Sequence, residues 1–331
     1  MIPRYYLIKI LQLTVLLSFS SNVLAAESIA TVKQVHSRLN NEPGNYDVDL
    51  LAIATLSNVT INGFKVSELS GLAWDEDEKI LYALSDNGYV LHLNPVLVDE
   101  QLTDVEFIAG FALLDNKNRP LKYKAADSEG LAIINSNNHT KNDTELIISF
   151  ERIPRLIKYK PDGTQISEIK LPGLLSDIKN YRSENKSLEA VTVHSKRGIM
   201  VGTEAPLLGQ NSALMSIYSI DGSSWSFPFQ NEFRGALVDM TTMQDGDILV
   251  LERAYGGLFQ NMDITLHRFS PDNKQDQTEI IFNFSQNNDL FNENFEGISH
   301  FRENKYFMIS DDNNHPLKTT QLILFSITKI K

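Results

Sequence analysis

The stretch DSEGLAIINSNNHTKNDTELIISFER, residues 127–152, puts a carboxylate at each end of a pair of short apolar runs. Glu129 enters the run LAII, and Glu151 leaves the run ELIISF. The arrangement recurs in SGLAWDEDEKILYALSDNG from Ser70, EAVTVHSKRGIMVGTEA from Glu189, RGALVDMTTMQDGDILVLERAYG from Arg234 and EGISHFRENKYFMISDDNN from Glu296. Each has a polar residue, then Gly or Ala, an apolar run, a polar turn and a second apolar run that ends in an acid. The end acids are Asp86, Glu151, Glu204, Glu252, and Asp311 or Asp312. Carboxylates gathered at close range repel one another, and the repulsion is relieved by protons or by a cation. An all-oxygen donor set suits a hard divalent cation such as calcium. Asp86, Glu151, Glu204, Glu252, Asp311 and Asn313 are the candidate metal ligands. Carboxylates around a cation can activate water against a phosphate ester or a lactone. Glu129, Glu189, Glu296 and Asp312 are the candidate catalytic groups. Arg152, Arg234 and Arg253 offer planar donors to a phosphate or carboxylate. His315, in the polar run SDDNNH, joins them as a substrate-binding candidate. A second reading stays open, in which the acids and arginines are ties between neighbouring elements.

The elements that must position these residues are short strands. After residue 45 the chain consists mostly of apolar runs of four to eight residues, separated by turns such as DNG, PDG, QDGD and PDN. Helical spacing is scarce; LLSDIKNYRSENKSL (174–188) holds at most one short helix. The class is all-β. The starting Gly or Ala recurs at 71, 130, 190, 235 and 297, in steps of 59, 60, 45 and 62 residues. Further runs follow each pair, such as VLHLN and EFIAGFAL, or LIKYK and ISEIKL. About four strands per repeat is the mark of a β-propeller, because a lone blade cannot bury both of its faces. Five blades are counted, with room for a degenerate sixth. The last repeat is one strand short, and DVDLLAIATLS (47–57) is predicted to complete it. Ring closure would bring Glu129, Glu189 and Glu296 together at one channel mouth, with Ser70 and Arg234 in the same place in the other two blades. The loop NFSQNNDLFNENF (283–295) would be a lid over that mouth or a plain connection.

Composition narrows the rest. The net charge is −12, which excludes a general nucleic-acid binder. Residues 1–26 read as a secretory leader: Arg4 and Lys9, an apolar core, and Val23 and Ala25 before a cut at Ala26. Residues 27–45 are then a linker and 46–331 a single domain. There is no cysteine, so disulfides, thiol nucleophiles and cysteine-held zinc are excluded. A monomeric periplasmic or secreted bacterial protein is expected, free of the membrane once the leader is removed.

The motifs LSGLAWD (69–75), DSEGLA (127–132), SFER (149–152), SLEAVT (187–192), LERAYG (251–256), NFEGIS (294–299) and SDDN (310–313) resemble the bacterial phytase-like domain family, labelled "esterase-like activity of phytase". The resemblance covers roughly residues 65 to 328. It implies an exported β-propeller that hydrolyses phosphoesters or carboxylic esters, with a small anionic or ester substrate. Two alternatives remain at this level: a propeller that binds a ligand or protein without turnover, and a lactonase-like sugar-acid hydrolase. In the latter, Glu129, Glu296, Asp312 and Asn313 would mimic the cation ligands of such enzymes.

Overall fold

Five antiparallel sheets carry almost all of the regular structure in this computed structural model, one sheet for each repeat. The structure describes residues 26–39, 45–231, 234–255, 262–273, 278–284, 293–315 and 318–330. All but the last residue of the expected leader lies outside the described residues, as do residues 285–292 of the expected lid loop. Among the described residues, no helix is long and apolar enough to cross a membrane.

The first blade runs outward through Leu69–Asp75, Ile80–Ser85, Tyr89–Val98 and Gln101–Ala112. The second is Ser128–Ile134, Glu145–Phe150, Arg155–Tyr159 and Gln165–Ile169. The third is Leu188–His194, Gly198–Thr203, Leu214–Ser219 and Ser224–Pro228. The fourth is Gly235–Thr242, Ile248–Ala254, Asp263–Phe269 and Thr278–Asn283. The fifth begins with Asn294–Arg302, Lys305–Asp311 and Thr320–Lys329. Its fourth strand comes from the other end of the chain. Tyr46–Leu56 pairs antiparallel with Thr320–Lys329, from Leu56 opposite Thr320 to Tyr46 opposite Lys329. That is the closure expected from the missing strand, and it makes a ring of five blades, with no sixth among the described residues.

The segment expected to be a linker is different. Ala30–Leu39 adds a fifth strand to the last blade, and Glu27–Ser28 pairs with Phe107 and Glu106 on the outer edge of the first. The sequence ATVKQVHSRL has no continuous apolar run, because an edge strand buries only part of one face. Its register with Tyr46–Leu56 comes from pairing, which composition does not reveal.

Innermost strands are apolar on both faces because a neighbouring blade covers each face. All seven residues of Leu69–Asp75 are buried, whereas the outermost Gln165–Ile169 is largely open. Each seam between blades holds its own apolar cluster. Leu56, Leu72, Trp74 and Phe307 pack between the fifth and first blades, and Met215, Phe227, Leu237 and Val250 between the third and fourth. Full burial of one such side chain stabilises the fold by about 2 kcal/mol. The stretch 174–188 holds a one-turn helix, Gly173–Ser176, and a short 3-10 turn, Ile178–Asn180.

The feature that positions the site is a β-bulge, repeated once per blade between the innermost strand and its neighbour. The register shifts between Leu69 and Gly71, Ser128 and Leu131, Leu188 and Ala190, Leu237 and Asp239, and Phe295 and Gly297. A bulge leaves one residue outside the ladder and re-aims its side chain. The residues so placed are Ser70, Glu129, Glu189, Val238 and Glu296. The residue that follows the second-strand partner of the last paired position before each bulge is Asp86, Glu151, Glu204, Arg253 or Asp311. The fourth blade is therefore offset from the expected alignment by several residues. Val238, not Arg234, takes the place of the glutamates, and Arg253, not Glu252, takes the place of the end acids. With Asp239 opposite Gly71, Gly130, Ala190 and Gly297, the steps become 59, 60, 49 and 58 residues.

Candidate functional site

Two interleaved rings result, Ser70–Glu129–Glu189–Val238–Glu296 and Asp86–Glu151–Glu204–Arg253–Asp311. Backbone bonds bring them to one mouth. The amides of Asp86, Glu151 and Glu204 donate to the carbonyls of Glu68 (3.2 Å), Asp127 (3.0 Å) and Ser187 (3.0 Å), each two residues before the bulge. Serines lock the seams: Ser70 Oγ donates to the Ser128 carbonyl at 3.0 Å, and Ser149 Oγ to that of Glu189 at 3.0 Å. The approach is close enough to demand glycine. A Cβ on Gly130 would lie 2.5 Å from the Glu189 carbonyl oxygen and 2.7 Å from the Val191 nitrogen. Below the mouth the channel narrows to a cavity of about 170 Å³, lined by Ala73, Ala132, Thr192, Thr241 and Ser299, one small residue from each blade.

Carboxylate oxygens of Asp127, Glu129 and Glu151 lie within 4.8 Å of one another, and so do those of Glu151, Glu189 and Glu204. Glu151 belongs to both triads. Burial, and then the charges of Glu204 and Asp127, push Glu151 up to about 8. Burial with Glu68, Asp311, Glu296 and Asp127 around it pushes Asp86 up to about 8. Asp311 rises to about 7, through burial and then the Glu296 charge, although Asn313 donates to it. Glu129 and Glu189 are held well above the usual carboxylate range by burial and then by the acids around them, from their own and other blades. Among the described residues, no donor reaches the carboxylate of either one. Asp86 Oδ1 is buried without a hydrogen-bond partner. Such groups are normally satisfied, and an orphaned acceptor costs about 1–3 kcal/mol.

Cations in the rings are few, and each is engaged. Arg253 bonds to Glu296 and to Asn294 Oδ1 (2.7 Å), and lies 3.9 Å from Glu204. Burial disfavours its charge, but Glu296, Glu189 and Glu204 outweigh that and keep it protonated. Arg152 sits on Asp127 at 2.6 Å, and Lys186 on Glu204 at 3.3 Å.

Several expected site residues do other work. Glu252 points away from the mouth: its carboxylate accepts from Gln230 N (2.8 Å) and Asn231 N (3.0 Å) and contacts His267 Nε2 at 2.6 Å. Neighbouring residues on a strand face opposite sides, so Arg253 reaches the ring and Glu252 does not. Asp312 is fully buried in the seam with the first blade, where Ser67 Oγ (2.6 Å), Asn58 Nδ2 (2.8 Å) and Glu68 N (3.1 Å) donate to it. Asn313 is exposed and donates to Asp311, and His315 is exposed on the same turn. Glu129 and Glu296 thus reach the mouth without Asp312, and the four-ligand lactonase-like set is not assembled. Asp239 ties the fourth blade to the fifth by accepting from Ile298 N at 2.7 Å. Arg234 is exposed at the rim, where it donates to the Tyr255 carbonyl at 3.4 Å.

Asp127, Lys186 and Arg182 were not singled out in the sequence. Asp127 and Lys186 have a signal: they stand two and three residues before the bulge glutamates, in the segment that approaches each end acid.

Fold and site together define a five-bladed β-propeller with an acid-lined axial mouth. The family model described as "Phytase-like: Esterase-like activity of phytase" matches residues 65–314, and the chain belongs to that family. No curated protein matches the chain. Among solved structures, the gluconolactonase XC5397 from Xanthomonas campestris is 11% identical, over 91% of this chain and 97% of its own, with a TM-score of 0.41. The β-propeller domain of Cps50 (Swd1) from Myceliophteria thermophila is 10% identical over 93% of this chain and 99% of its own, with a TM-score of 0.40. Sqt1 from Saccharomyces cerevisiae is 9% identical over 92% of this chain and 100% of its own, with a TM-score of 0.38.

Proposed function

We propose that the chain is an exported hydrolase of anionic esters, working at the acid-lined mouth with a divalent cation, calcium foremost. One observation carries the reading: carboxylates from different blades converge with too few donors. Glu129 and Glu189 accept no hydrogen bond from a described residue, and Asp86 keeps a buried orphan oxygen. All-oxygen triads with unsatisfied lone pairs fit a hard cation. Asp127, Glu129 and Glu151 would hold it on one side, and Glu151, Glu189 and Glu204 on the other. A cation there supplies positive charge against the charge that develops on ester oxygens during hydrolysis.

The chain's own groups have separate tasks. Arg253 is half-buried, charged and fixed by Asn294 and Glu296, so its fork is preorganised to orient an anionic substrate. Glu129, whose proton affinity is raised by burial and by Glu296, Glu151 and Asp86, would give up its proton to bind the cation. Serine ties between blades keep these groups in place. The test is hydrolysis of phosphate and carboxylic esters with and without calcium, in wild type and in Glu129→Gln and Glu189→Gln. Calcium-dependent turnover, lost in both variants, supports the proposal. Equal rates in all three proteins, or no rate in any condition, refute it.

A further inference from the structure

We infer that the cavity between the third and fourth blades is a substrate subsite, selective for an ester that carries one anionic group beside a flat apolar group. This rests on the reading of the mouth as a hydrolytic centre. The cavity is about 360 Å³, at the small end of ligand-binding pockets and enough for one ring and one phosphate or carboxylate. It opens directly off the axis, because Glu204 and Arg253 of the acid ring form one of its walls.

Its electrostatics are the reverse of the mouth's. Arg182, Lys186, Arg234 and Arg253 line it, against the single acid Glu204. Arg182 is held by carbonyls rather than by a carboxylate: Nε donates to Pro206 O at 2.9 Å and Nη2 to Gln210 O at 3.0 Å. Its orientation is fixed while its charge is left uncompensated by those bonds. An anion seated here would meet Glu204 of the acid ring with the cations Lys186 and Arg253 beside it. A second or third anionic group would face the mouth carboxylates directly, so polyanions are disfavoured.

The apolar half of the preference comes from the other walls. Ala205, Pro206, Ala236 and Tyr255 complete the cavity. Tyr255 is 58% exposed, whereas most large aromatic side chains here are buried. A flat ring offered to solvent beside anion-binding groups is suited to stacking on an aromatic substituent.

The experiment is titration calorimetry of the full chain with two non-hydrolysable probes of equal charge, phenylphosphonate and methylphosphonate. Phenylphosphonate is expected to bind at least tenfold more tightly. Tyr255→Ser should remove most of that difference, and Arg182→Gln should weaken both probes about tenfold. Equal affinity of the two probes, no binding, or full binding in both variants overturns the inference. Turnover of phenyl phosphate in the same samples reports separately on the hydrolase reading: binding that follows the expected pattern without turnover removes the activity and leaves the subsite.

Discussion

Replacing Glu151 by glutamine should make the protein more stable at alkaline pH. Glu151 is buried and belongs to both carboxylate triads, and its proton affinity rises from the ordinary 4.5 to about 8. At pH 8 the unfolded chain has shed this proton at no cost, while the folded protein must shed it among Glu204, Asp127 and their neighbours. At about 1.4 kcal/mol for each tenfold change in proton affinity, the penalty is on the order of 4 kcal/mol. Glutamine removes the charge and keeps an oxygen for the Ser187 amide, 3.4 Å away. Rearrangement of neighbouring charges would return part of the gain, leaving roughly 2–4 kcal/mol. For a domain of this size that is roughly 4–8 °C in Tm. At pH 5 the folded wild type already holds the proton, so the gain should nearly vanish. Thermal unfolding of both proteins at pH 5 and pH 8 in a chelating buffer measures this directly. A variant no more stable than wild type at pH 8, or a gain equal at both pH values, would refute the argument.

The wild type should itself lose stability as pH rises. Asp86 and Glu151 titrate near 8 and Asp311 near 7 in the folded state, all above their ordinary values, so this stability is whole below about pH 4 and is lost as pH climbs through 7–8. A Tm that falls between pH 5 and 8.5 without divalent ions is expected; a flat profile counts against the cluster. Asp312→Ala should cost about 3 kcal/mol in urea unfolding, because it strands the donors of Ser67, Asn58 and Glu68, while calcium affinity stays within a factor of two. Gly130→Ala should destabilise by about 3 kcal/mol, since the added carbon meets backbone atoms of the next blade 2.5–2.7 Å away.

The propeller could be read from the sequence because its repeat lies in things composition shows: apolar runs, polar turns and a missing strand at one end. Glu129, Glu189 and Glu296 were found because the same three-residue signal precedes each innermost strand. The fourth blade misled because Gly235 imitates the repeat's small residue, while the true position holds Asp239. Only the ladder shift between Leu237 and Asp239 reveals that, though the uneven steps of 45 and 62 residues were a hint. Asp312 reads as a catalytic candidate because it neighbours Asp311, but successive residues of an extended segment face opposite ways. Strand Ala30–Leu39 escaped notice for a related reason: an edge strand buries too little to leave an apolar signature. The side cavity could not be read at all, since Arg182 precedes the third blade while Arg234 and Tyr255 flank paired strands of the fourth, and they meet only when the two blades pack.

Calorimetric titration of calcium into the metal-free protein at pH 8 tests whether the convergent carboxylates form a cation site. The account predicts saturable binding with net proton release, weakened at least tenfold by Glu151→Gln and by Glu189→Gln. Absence of binding, or an affinity unchanged by either substitution, would contradict it.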